Sequence, residues 1–331
     1  MHPAPPLGAL LRQYAAGCAV ACEPVDQGLL NRGYRLRTTR GRYFLKHHFD
    51  PETADPTAIA RQHRATERLA GLGVPVAPPL AGRDGRTVAV IGGHAYALHP
   101  WIDGRHRHGG QLTPGQCARL GALLGAVHAG LERVMPPEGR APAVSADPAD
   151  TFALIEDLLA RVRRHRPADS FDALARHRLL ERRALLERHA DRRPPRGGSV
   201  GWVHGDFHPF NLLYKGDAPA AIVDWDRLGV HPRAEEAVRA AAIFFVRPAG
   251  TLDLPKVRAY TRAYRRAETA TPSELAAAVH RVWWERLNDF WMLRWHYERG
   301  DTRADAQFPA ASALVVWWTR RYDEVCDAFV A

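Results

Sequence analysis

Two short polar segments in the second half of the chain combine residue types that could do chemistry together. The first reads HGDFHPFN over residues 204–211, and the second reads IVDWD over residues 222–226. The first segment lies between apolar, strand-like stretches, so we expect a tight loop that brings Asp206 and Asn211 together. The second segment is strand-like and delivers Asp224, thirteen residues after Asn211. The chain therefore brings two carboxylates and one amide to a single region.

The chemistry open to these three side chains is phosphoryl transfer. A carboxylate such as that of Asp206 can meet a substrate hydroxyl and accept its proton. The oxygens of Asn211 and Asp224 suit Mg²⁺, which is usually bound together with substrate phosphates. A base, a metal-binding asparagine and a metal-binding aspartate also follow one another in this order in protein kinases.

HGDFHPFNLLY followed by IVDWD resembles the aminoglycoside phosphotransferase and choline kinase superfamily of small-molecule kinases. The resemblance implies an α+β, bilobal, protein-kinase-like fold, with a small antiparallel-sheet N-lobe that carries one helix and a larger, mostly helical C-lobe. It also implies that Asp206 is the catalytic base and that Asn211 and Asp224 hold Mg²⁺. We expect His204 to bond loop backbone, and His208 either to shape the loop or to reach the site.

Such a kinase needs a lysine on the third strand of its small lobe, and the resemblance assigns this role to Lys46. The chain has 43 arginines and only three lysines, so a retained lysine indicates a need for a compact ammonium charge. That charge would hold nucleotide phosphates. The glycine-bearing loop QGLLNRG, residues 27–33, is expected to lie over the phosphates with its backbone N–H groups.

The helix after this strand departs from the family pattern, which pairs the lysine with a glutamate. The equivalent position holds Gln62, and Glu67 lies five residues on, about 140° around an ideal helix. An amide oxygen can accept one hydrogen bond from Lys46 but adds no charge. Gln62 is favoured as the partner, and Glu67 is the alternative.

The segment ALHPWIDG, residues 97–104, resembles the connection between the lobes of this superfamily, where adenine bonds two backbone groups. Alignment on Gly104 makes the carbonyl of Pro100 the acceptor and the N–H of Ile102 the donor, with Trp101 between them. A proline loses nothing as an acceptor, since only its N–H is missing. The resemblance thus implies ATP as the nucleotide, with GTP as an alternative.

Periodicity places these residues on a sheet-rich first third and a helical remainder. Alternating apolar residues around the turn TTRG predict one hairpin, and Gly92–Gly93 marks the turn of a second. The predicted lobes are residues 1–101, for the nucleotide, and 102–331, for catalysis and the acceptor, with a helical insert at about 140–196. Helices are predicted over residues 7–16, 55–72, 113–128, much of 151–193 and 232–331.

Composition narrows the class of protein. A hydrophobic share of 46% and a charged share of 25% are ordinary for a globular protein. The net charge of +10 is arginine-based, and residues 161–196 carry 12 arginines against five acidic residues. We expect ion-paired helix faces there, around residues such as Glu181, with a patch for an anionic partner as the alternative; nucleic acid is not expected.

The same composition bears on location. No apolar run approaches the roughly 18 residues of a membrane span, so no membrane is expected. Four scattered cysteines and a start without a basic segment indicate the cytoplasm. Nothing in the sequence indicates an oligomeric state.

The predicted reaction is transfer of the ATP γ-phosphoryl group to a hydroxyl of a small molecule. The chain runs from IVDWD almost directly into helix, whereas a protein kinase, the first alternative, usually has a long activation segment there. A catalytically weak nucleotide-binding protein, suggested by Gln62, is the second alternative.

The acceptor stays open among an aminoglycoside, another antibiotic, an amino alcohol, a homoserine-like molecule and a sugar. Late acidic and aromatic residues would suit a cationic acceptor, but ion pairs with the abundant arginines explain the acids equally well. The candidates are Asp226, Glu235, Glu285, Asp289, Trp295 and Glu298, of which Asp226 is also a candidate for a second metal.

Overall fold

The computed structural model describes residues 4–25, 31–50, 54–139, 144–195 and 200–331. The chain forms two compact units, each drawn from separate segments. The first unit comprises Met1–Arg107, Ala129–Pro137 and His204–Gly229, and the second comprises His108–His128, Glu138–Val203 and Val230–Ala331. The predicted division after residue 101 is a single cut of the chain, and it stays a prediction.

The first unit contains a five-stranded antiparallel sheet. Both predicted hairpins are confirmed: Leu36 pairs with Tyr43 across the first, and Gly92 and Gly93 turn the second with φ of 60° and 79°. The strands are β1 (Ala19–Val25), β2 (Arg32–Thr38), β3 (Gly41–His48), β4 (Ala89–Ile91) and β5 (His94–Pro100). They lie side by side in the order β1-β2-β3-β5-β4.

Two helices accompany this sheet. Helix α1 (Leu7–Gln13) contributes Leu10 and Leu11 to a core that also contains Leu36, Leu45 and Leu98. Helix α2 (Pro56–Gly71) begins as predicted, because the Asp55 carboxylate accepts from the N–H groups of Thr57 and Ala58, each at 3.1 Å.

The segment that carries the candidate chemistry adds a small hairpin to the first unit. Strands β7 (Leu212–Lys215) and β8 (Ala218–Ile222) pair antiparallel. Isolated bridges join Ile222 to Val76 and Tyr214 to Arg105, so the hairpin is anchored in the same unit as the sheet. Strands β6 (Gly201–Val203) and β9 (Gly229–His231) precede and follow this segment and pair with each other.

The second unit is mostly helical, and its core is rich in large rings. Trp283, Trp284 and Trp318 are fully buried. Helix α3 (Pro114–Val134) begins in this unit, and its residues from Ala129 on belong to the first unit. It runs six residues beyond its predicted end near His128, because no proline interrupts it before Pro136. The other helices of this unit are α4 (Pro148–Arg164), α5 (Ser170–His189), α6 (Arg233–Phe244), α7 (Leu254–Ala267), α8 (Pro272–Asn288), α9 (Trp291–Arg299), α10 (Phe308–Arg320) and α11 (Tyr322–Val330).

The arginine-rich helices α4 and α5 carry ion pairs along their faces. Arg161 pairs with Asp157 at 2.6 Å, and Arg178 pairs with Glu181 at 2.6 Å. The interpretation of these arginines as ion-paired helix faces is confirmed for these residues. No helix in the described part of the chain is long and apolar enough to cross a membrane.

Candidate active site

Lys46 lies on the central strand of the sheet in the first unit. Strand β3 pairs on one side with β2, at Gly33, and on the other with β5, at Ala97. The Lys46 side chain is only 12% exposed, and its Nζ donates to Asp224 Oδ1 at 2.7 Å and to Asp226 Oδ1 at 2.6 Å. A lysine on the sheet thus joins the two aspartates of IVDWD.

Burial and the charges of this cluster shift the pKa values of its three members in different directions. Burial by itself would lower the pKa of Lys46, but the two carboxylates outweigh burial and raise it above its usual value. Burial would raise the pKa of Asp224, and the ammonium group of Lys46 outweighs that effect and lowers it. For Asp226, burial and the neighbouring Asp224 charge prevail, so its pKa is raised despite Lys46.

Asp226 is held from other directions as well. The Asn31 amide donates to Asp226 Oδ2, and Gln62 Nε2 donates to the Asp226 carbonyl at 3.0 Å. In the described part of the chain Gln62 therefore bonds Asp226 and not Lys46, so the prediction that it is the partner of the lysine is wrong. The alternative partner, Glu67, is exposed. Lys46 is instead paired with Asp224 and Asp226.

The loop HGDFHPFN is fixed by its first histidine and by a glycine. His204 is fully buried; its Nδ1 accepts from the Asp206 N–H at 3.2 Å, and its Nε2 bonds the Val223 carbonyl at 3.1 Å. Gly205 has φ of 86°, and a Cβ there would lie 2.1 Å from the Arg227 carbonyl oxygen. The prediction that His204 bonds loop backbone is confirmed, and glycine is required beside it.

Asp206 and Asn211 meet on this loop. Asn211 Nδ2 donates to the Asp206 carbonyl at 2.9 Å and lies 3.4 Å from Asp206 Oδ2. His208 caps the short turn Pro209–Asn211 by accepting from Phe210 N–H at 3.2 Å, and its Nε2 lies 3.5 Å from Asp206 Oδ2. His208 therefore both shapes the loop and contacts the candidate base.

The environment keeps Asp206 ionised. Burial raises the pKa of its carboxyl group, but the bond and charge of His208, with help from Arg227, outweigh burial and lower the pKa below its usual value. The loop is also tied to the metal candidate, since the Val223 N–H donates to the Asn211 carbonyl at 2.9 Å. Asp224 follows directly, with a left-handed φ of 61°. This conformation is uncommon outside glycine and is enriched at functional sites.

The predicted nucleotide hinge lies at the end of strand β5. Pro100 is its last residue, and the Trp101 N–H donates to the Arg42 carbonyl at 3.1 Å. Trp101 Nε1 donates to Asp103 Oδ1 at 3.1 Å, so this ring is held beside Ile102. Of the loop QGLLNRG, residues 27–30 lie outside the described part of the chain.

A cavity of about 530 Å³ lies within the second unit and collects three of the predicted acceptor residues: Glu235, Glu285 and Asp289. Trp295 and Glu298 are not among its lining residues. Trp295 packs edge-on against the lining residue Trp291, and Glu298 pairs with the lining residue Arg294 at 3.2 Å. Asp226 belongs to the Lys46 cluster.

Two of the three acids of this cavity are paired with arginines that the sequence did not single out. Arg281 Nε lies 2.6 Å from Glu235 Oε1, and Arg239 contacts both carboxylate oxygens of Glu285, at 3.1 and 2.6 Å. The lining also contains a third acid, Asp289, and a third arginine, Arg294, whose ion pair is with Glu298 outside the lining. Of the two explanations for these acids, ion pairing with arginine is confirmed for Glu235 and Glu285.

Burial and the arginine pairings act in opposite directions on the pKa values of the cavity acids. Burial raises the pKa of Glu285, but Arg239 outweighs burial and lowers it. Burial prevails at Glu235 over the opposing Arg281, and it also prevails at Asp289, so the pKa of each of these two is raised. By count, the cavity lining carries three acids and three arginines.

Comparison with known proteins agrees with this geometry. A model described as the phosphotransferase enzyme family matches residues 21–269. Homoserine kinase from Methylobacillus flagellatus is 26% identical over 298 residues, which cover 85% of this chain and 83% of that protein.

Two solved structures share the fold. Spectinomycin phosphotransferase in complex with ADP and spectinomycin has a TM-score of 0.65 at 13% identity, over 96% of this chain and 97% of that one. The microcompartment-associated aminopropanol kinase has a TM-score of 0.60 at 17% identity, over 95% and 94%. The predicted α+β, bilobal, kinase-like fold is confirmed. The chain belongs to the phosphotransferase enzyme family, and it is a phosphotransferase that acts on a hydroxyl group of a small molecule.

Proposed function

We propose that the chain transfers the γ-phosphoryl group of magnesium-bound ATP to the hydroxyl of a small zwitterionic acceptor, with homoserine as the first candidate. The observation that carries the proposal is the cluster in which Lys46 bonds Asp224 at 2.7 Å and Asp226 at 2.6 Å. The cluster sets the ammonium group of Lys46, which can bind nucleotide phosphates, beside the carboxylate of Asp224, which can bind the metal ion on those phosphates.

Within this cluster Lys46 is the residue that contacts phosphate. Its raised pKa keeps the ammonium group charged at neutral pH. Asp226 is the positioning residue that replaces the helix glutamate, and Asn31 and Gln62 hold Asp226 in place. Asp226 is therefore assigned to the nucleotide site and not to the acceptor.

Asn211 and Asp224 fit a magnesium ion by their chemistry. Amide and carboxylate oxygens are ligands of this hard cation. Because Asn211 uses its amide nitrogen on the Asp206 carbonyl, the amide oxygen is the atom left to ligate. Bound Mg²⁺ would neutralise charge on the transferred phosphoryl group.

Asp206 is the proposed base. Its lowered pKa makes it a carboxylate at neutral pH, and its backbone N–H is fixed by buried His204. As the acceptor oxygen bonds to the γ-phosphorus and the bond from that phosphorus to ADP breaks, the hydroxyl proton passes to Asp206. Positioning supplies much of the rate in this type of reaction.

ATP is the proposed nucleotide, and the hinge residues are proposed to hold its adenine. The Trp101 N–H is used inside the sheet, at Arg42. This bonding leaves the adjacent backbone groups, the Pro100 carbonyl and the Ile102 N–H, for the base. The ADP in the structure of spectinomycin phosphotransferase supports an adenine nucleotide.

The cavity of the second unit supports a zwitterionic acceptor. Cationic acceptors call for surplus negative charge, whereas here Arg281 and Arg239 neutralise Glu235 and Glu285. A molecule with an ammonium and a carboxylate group can exchange partners with both members of such pairs. Homoserine has both groups and a hydroxyl, and it is the substrate named in the relative from Methylobacillus flagellatus.

An acceptor panel tests the proposal. Purified protein with ATP and Mg²⁺ is assayed for acceptor-dependent ADP release with homoserine, 1-amino-2-propanol, choline, spectinomycin and a sugar. We expect homoserine to be phosphorylated best, and mass spectrometry to find one phosphate on the product. Phosphorylation of the amino alcohols or the antibiotic in preference to homoserine would contradict the zwitterionic acceptor, and no transfer to any of them would contradict homoserine and the charge argument alike.

The proposed location is the cytoplasm, where ATP and amino-acid acceptors are found. All four cysteines, Cys18, Cys22, Cys117 and Cys326, are free thiols, as expected in a reducing compartment. Fractionation of the native cells should recover the kinase activity in the cytoplasmic fraction; recovery outside it would contradict this location.

A further inference from the structure

Three side chains of the second unit converge at the ends of three helices, and none of them belongs to the residues assigned to phosphoryl transfer. His165 follows the last residue of α4, Asp172 lies in the first turn of α5, and His296 lies in the last turn of α9. One ligand atom from each lies within 4.8 Å of the others. We propose that these residues bind one divalent transition-metal ion, and that Zn²⁺ fits them best.

Asp172 and His165 form the first pair of ligands. His165 Nδ1 lies 3.0 Å from Asp172 Oδ2. Two ligand atoms of one tetrahedral zinc ion, each about 2.0–2.1 Å from the metal, lie roughly 3.3 Å apart. The 3.0 Å between these two atoms is only slightly shorter. Asp172 is buried and oriented by the Tyr297 hydroxyl, which donates to Oδ1 at 2.7 Å, and by the Asp169 N–H at 3.0 Å. Its carboxylate is therefore held in place before any ion arrives.

His296 is the third ligand, and a carboxylate stands behind it. Its Nδ1 lies 2.8 Å from Asp305 Oδ2, an arrangement that places the proton on Nδ1 and leaves the Nε2 lone pair for a cation. A ligating histidine almost always donates its other ring N–H in this way. The His296 ring is also stacked on Phe171, with centroids 4.2 Å apart, so its orientation is fixed.

The donor set selects the kind of ion. Mg²⁺ and Ca²⁺ prefer oxygen ligands alone, whereas imidazole favours zinc and its neighbours among the transition metals. Two histidines and one carboxylate leave a fourth position for water. A helix cap would explain Asp172 and Asp169, but it does not require the two imidazoles or Asp305.

The position of the cluster indicates a structural role for the ion. Helices α4, α5 and α9 also share an apolar core, in which Ile155, Leu179 and Leu293 are buried, and Phe171 and Tyr297 pack against it. An ion that joins His165, Asp172 and His296 would tie these helices together at one end of that core. Zinc should therefore raise the thermal stability of the protein without being needed for phosphoryl transfer.

Zinc titration of the full-length chain tests the site. The protein is stripped with a chelator, and Zn²⁺ is titrated against a chromophoric competitor in four proteins: wild type, His165→Gln, His296→Gln and the control His177→Gln. His177 is an exposed histidine on the same helix as Asp172. We expect one tight Zn²⁺ per chain in wild type and control. In the other two proteins the affinity for Zn²⁺ should fall by about 10–100-fold or more, because loss of a group that only supports a ligand already costs that much.

Three further measurements separate binding at this site from other effects. Co²⁺ bound to the wild type should give the visible absorption of a four-coordinate N/O site, and His165→Gln should lose it. Zn²⁺ should raise the melting temperature of wild type and control, but not that of His165→Gln, whose circular dichroism should be unchanged. Equal zinc binding by all four proteins, or none by the wild type, would overturn the assignment.

Discussion

The Lys46 cluster of the first unit and the cavity of the second unit both pair acids with bases, but they balance charge differently. One ammonium group serves two carboxylates at Lys46, whereas the cavity sets three arginines against three acids. The surplus of negative charge in the cluster suits a site that takes up a divalent cation. The balance in the cavity suits an acceptor that carries both charges. The balance of acidic and basic groups in each region, and not the mere presence of acids, therefore indicates the charge of the ligand that it binds.

Asp206→Asn is the change that tests the catalytic side of this comparison most strongly. We expect kcat to fall by about 10²–10⁴, the usual contribution of a general base, while ATP affinity is unchanged. Asp217→Asn is the control, because Asp217 is an exposed aspartate on the hairpin turn of the same unit. Steady-state kinetics and nucleotide titration measure the two quantities. Turnover near the wild-type rate would contradict the role of Asp206.

Lys46→Met tests whether the cluster serves phosphate. We expect kcat/KM for ATP to fall by about 10²–10³, since a buried charge aimed at the phosphates is removed. Lys46→Arg should restore little, because a guanidinium fork does not replace a compact ammonium group between two carboxylates. The exposed Lys215 provides the control Lys215→Met. Full activity in Lys46→Arg would show that only the charge matters.

The same two regions differ in how much of them the sequence predicts. Asp206, Asn211 and Asp224 lie within nineteen residues, so their spacing alone indicates a common site. The partner of Lys46 was predicted wrongly because Asp226, which bonds it, is 180 residues away along the chain. No local pattern reports a contact of that separation.

The lining of the cavity could not be predicted from the sequence for a further reason. Its lining runs from Val144 to Arg294, and its arginines come from a chain that uses arginine throughout. The sequence predicted its acids but not that Arg281 and Arg239 neutralise two of them. The fold was predictable because hairpin turns and helix caps, such as Gly92–Gly93 and Asp55, are local signals.

A pair of substitutions in the cavity tests the zwitterionic acceptor. We expect both Arg281→Gln and Glu235→Gln to raise the KM for homoserine by about 10–100-fold, because each removes a charged hydrogen bond of about 1.5–3 kcal/mol. KM for ATP should not change in either variant. Arg320→Gln is the control, since this arginine is 72% exposed. If only the glutamate variant loses affinity, the acceptor is a cation and the charge balance is irrelevant.

His208→Ala is expected to change the pH dependence of catalysis. His208 lowers the pKa of Asp206 against the effect of burial. In the wild type the base therefore stays ionised to a lower pH than usual. Without His208 the pKa rises, and the acidic limb of the kcat profile should move to higher pH. Rates from pH 3 to 7, the range that contains the acidic limb, measure this shift, with His177→Gln as the control. Coincident profiles would show that His208 only shapes the loop.

Two adjacent arginines differ in burial, so the smallest expected effect on the free energy of unfolding can be compared with a larger one. Arg182 is 6% exposed and donates to the carbonyl of Asp289, a cavity residue, at 3.2 Å. Arg183 is 45% exposed and pairs with Glu156 and Glu187. Arg183→Gln should lower the free energy of unfolding by less than about 1 kcal/mol, and high salt should abolish the difference.

Arg182→Gln should cost more, about 1–3 kcal/mol for each buried carbonyl left without its partner, and salt should not change that cost. Urea unfolding at low and high salt measures both variants. Equal and salt-sensitive losses would show that Arg182 acts only through its charge. The two arginines are equivalent in composition and adjacent in the sequence. Only their difference in burial shows that Arg182 supports the cavity, whereas Arg183 lies on the solvent-exposed face of the helix.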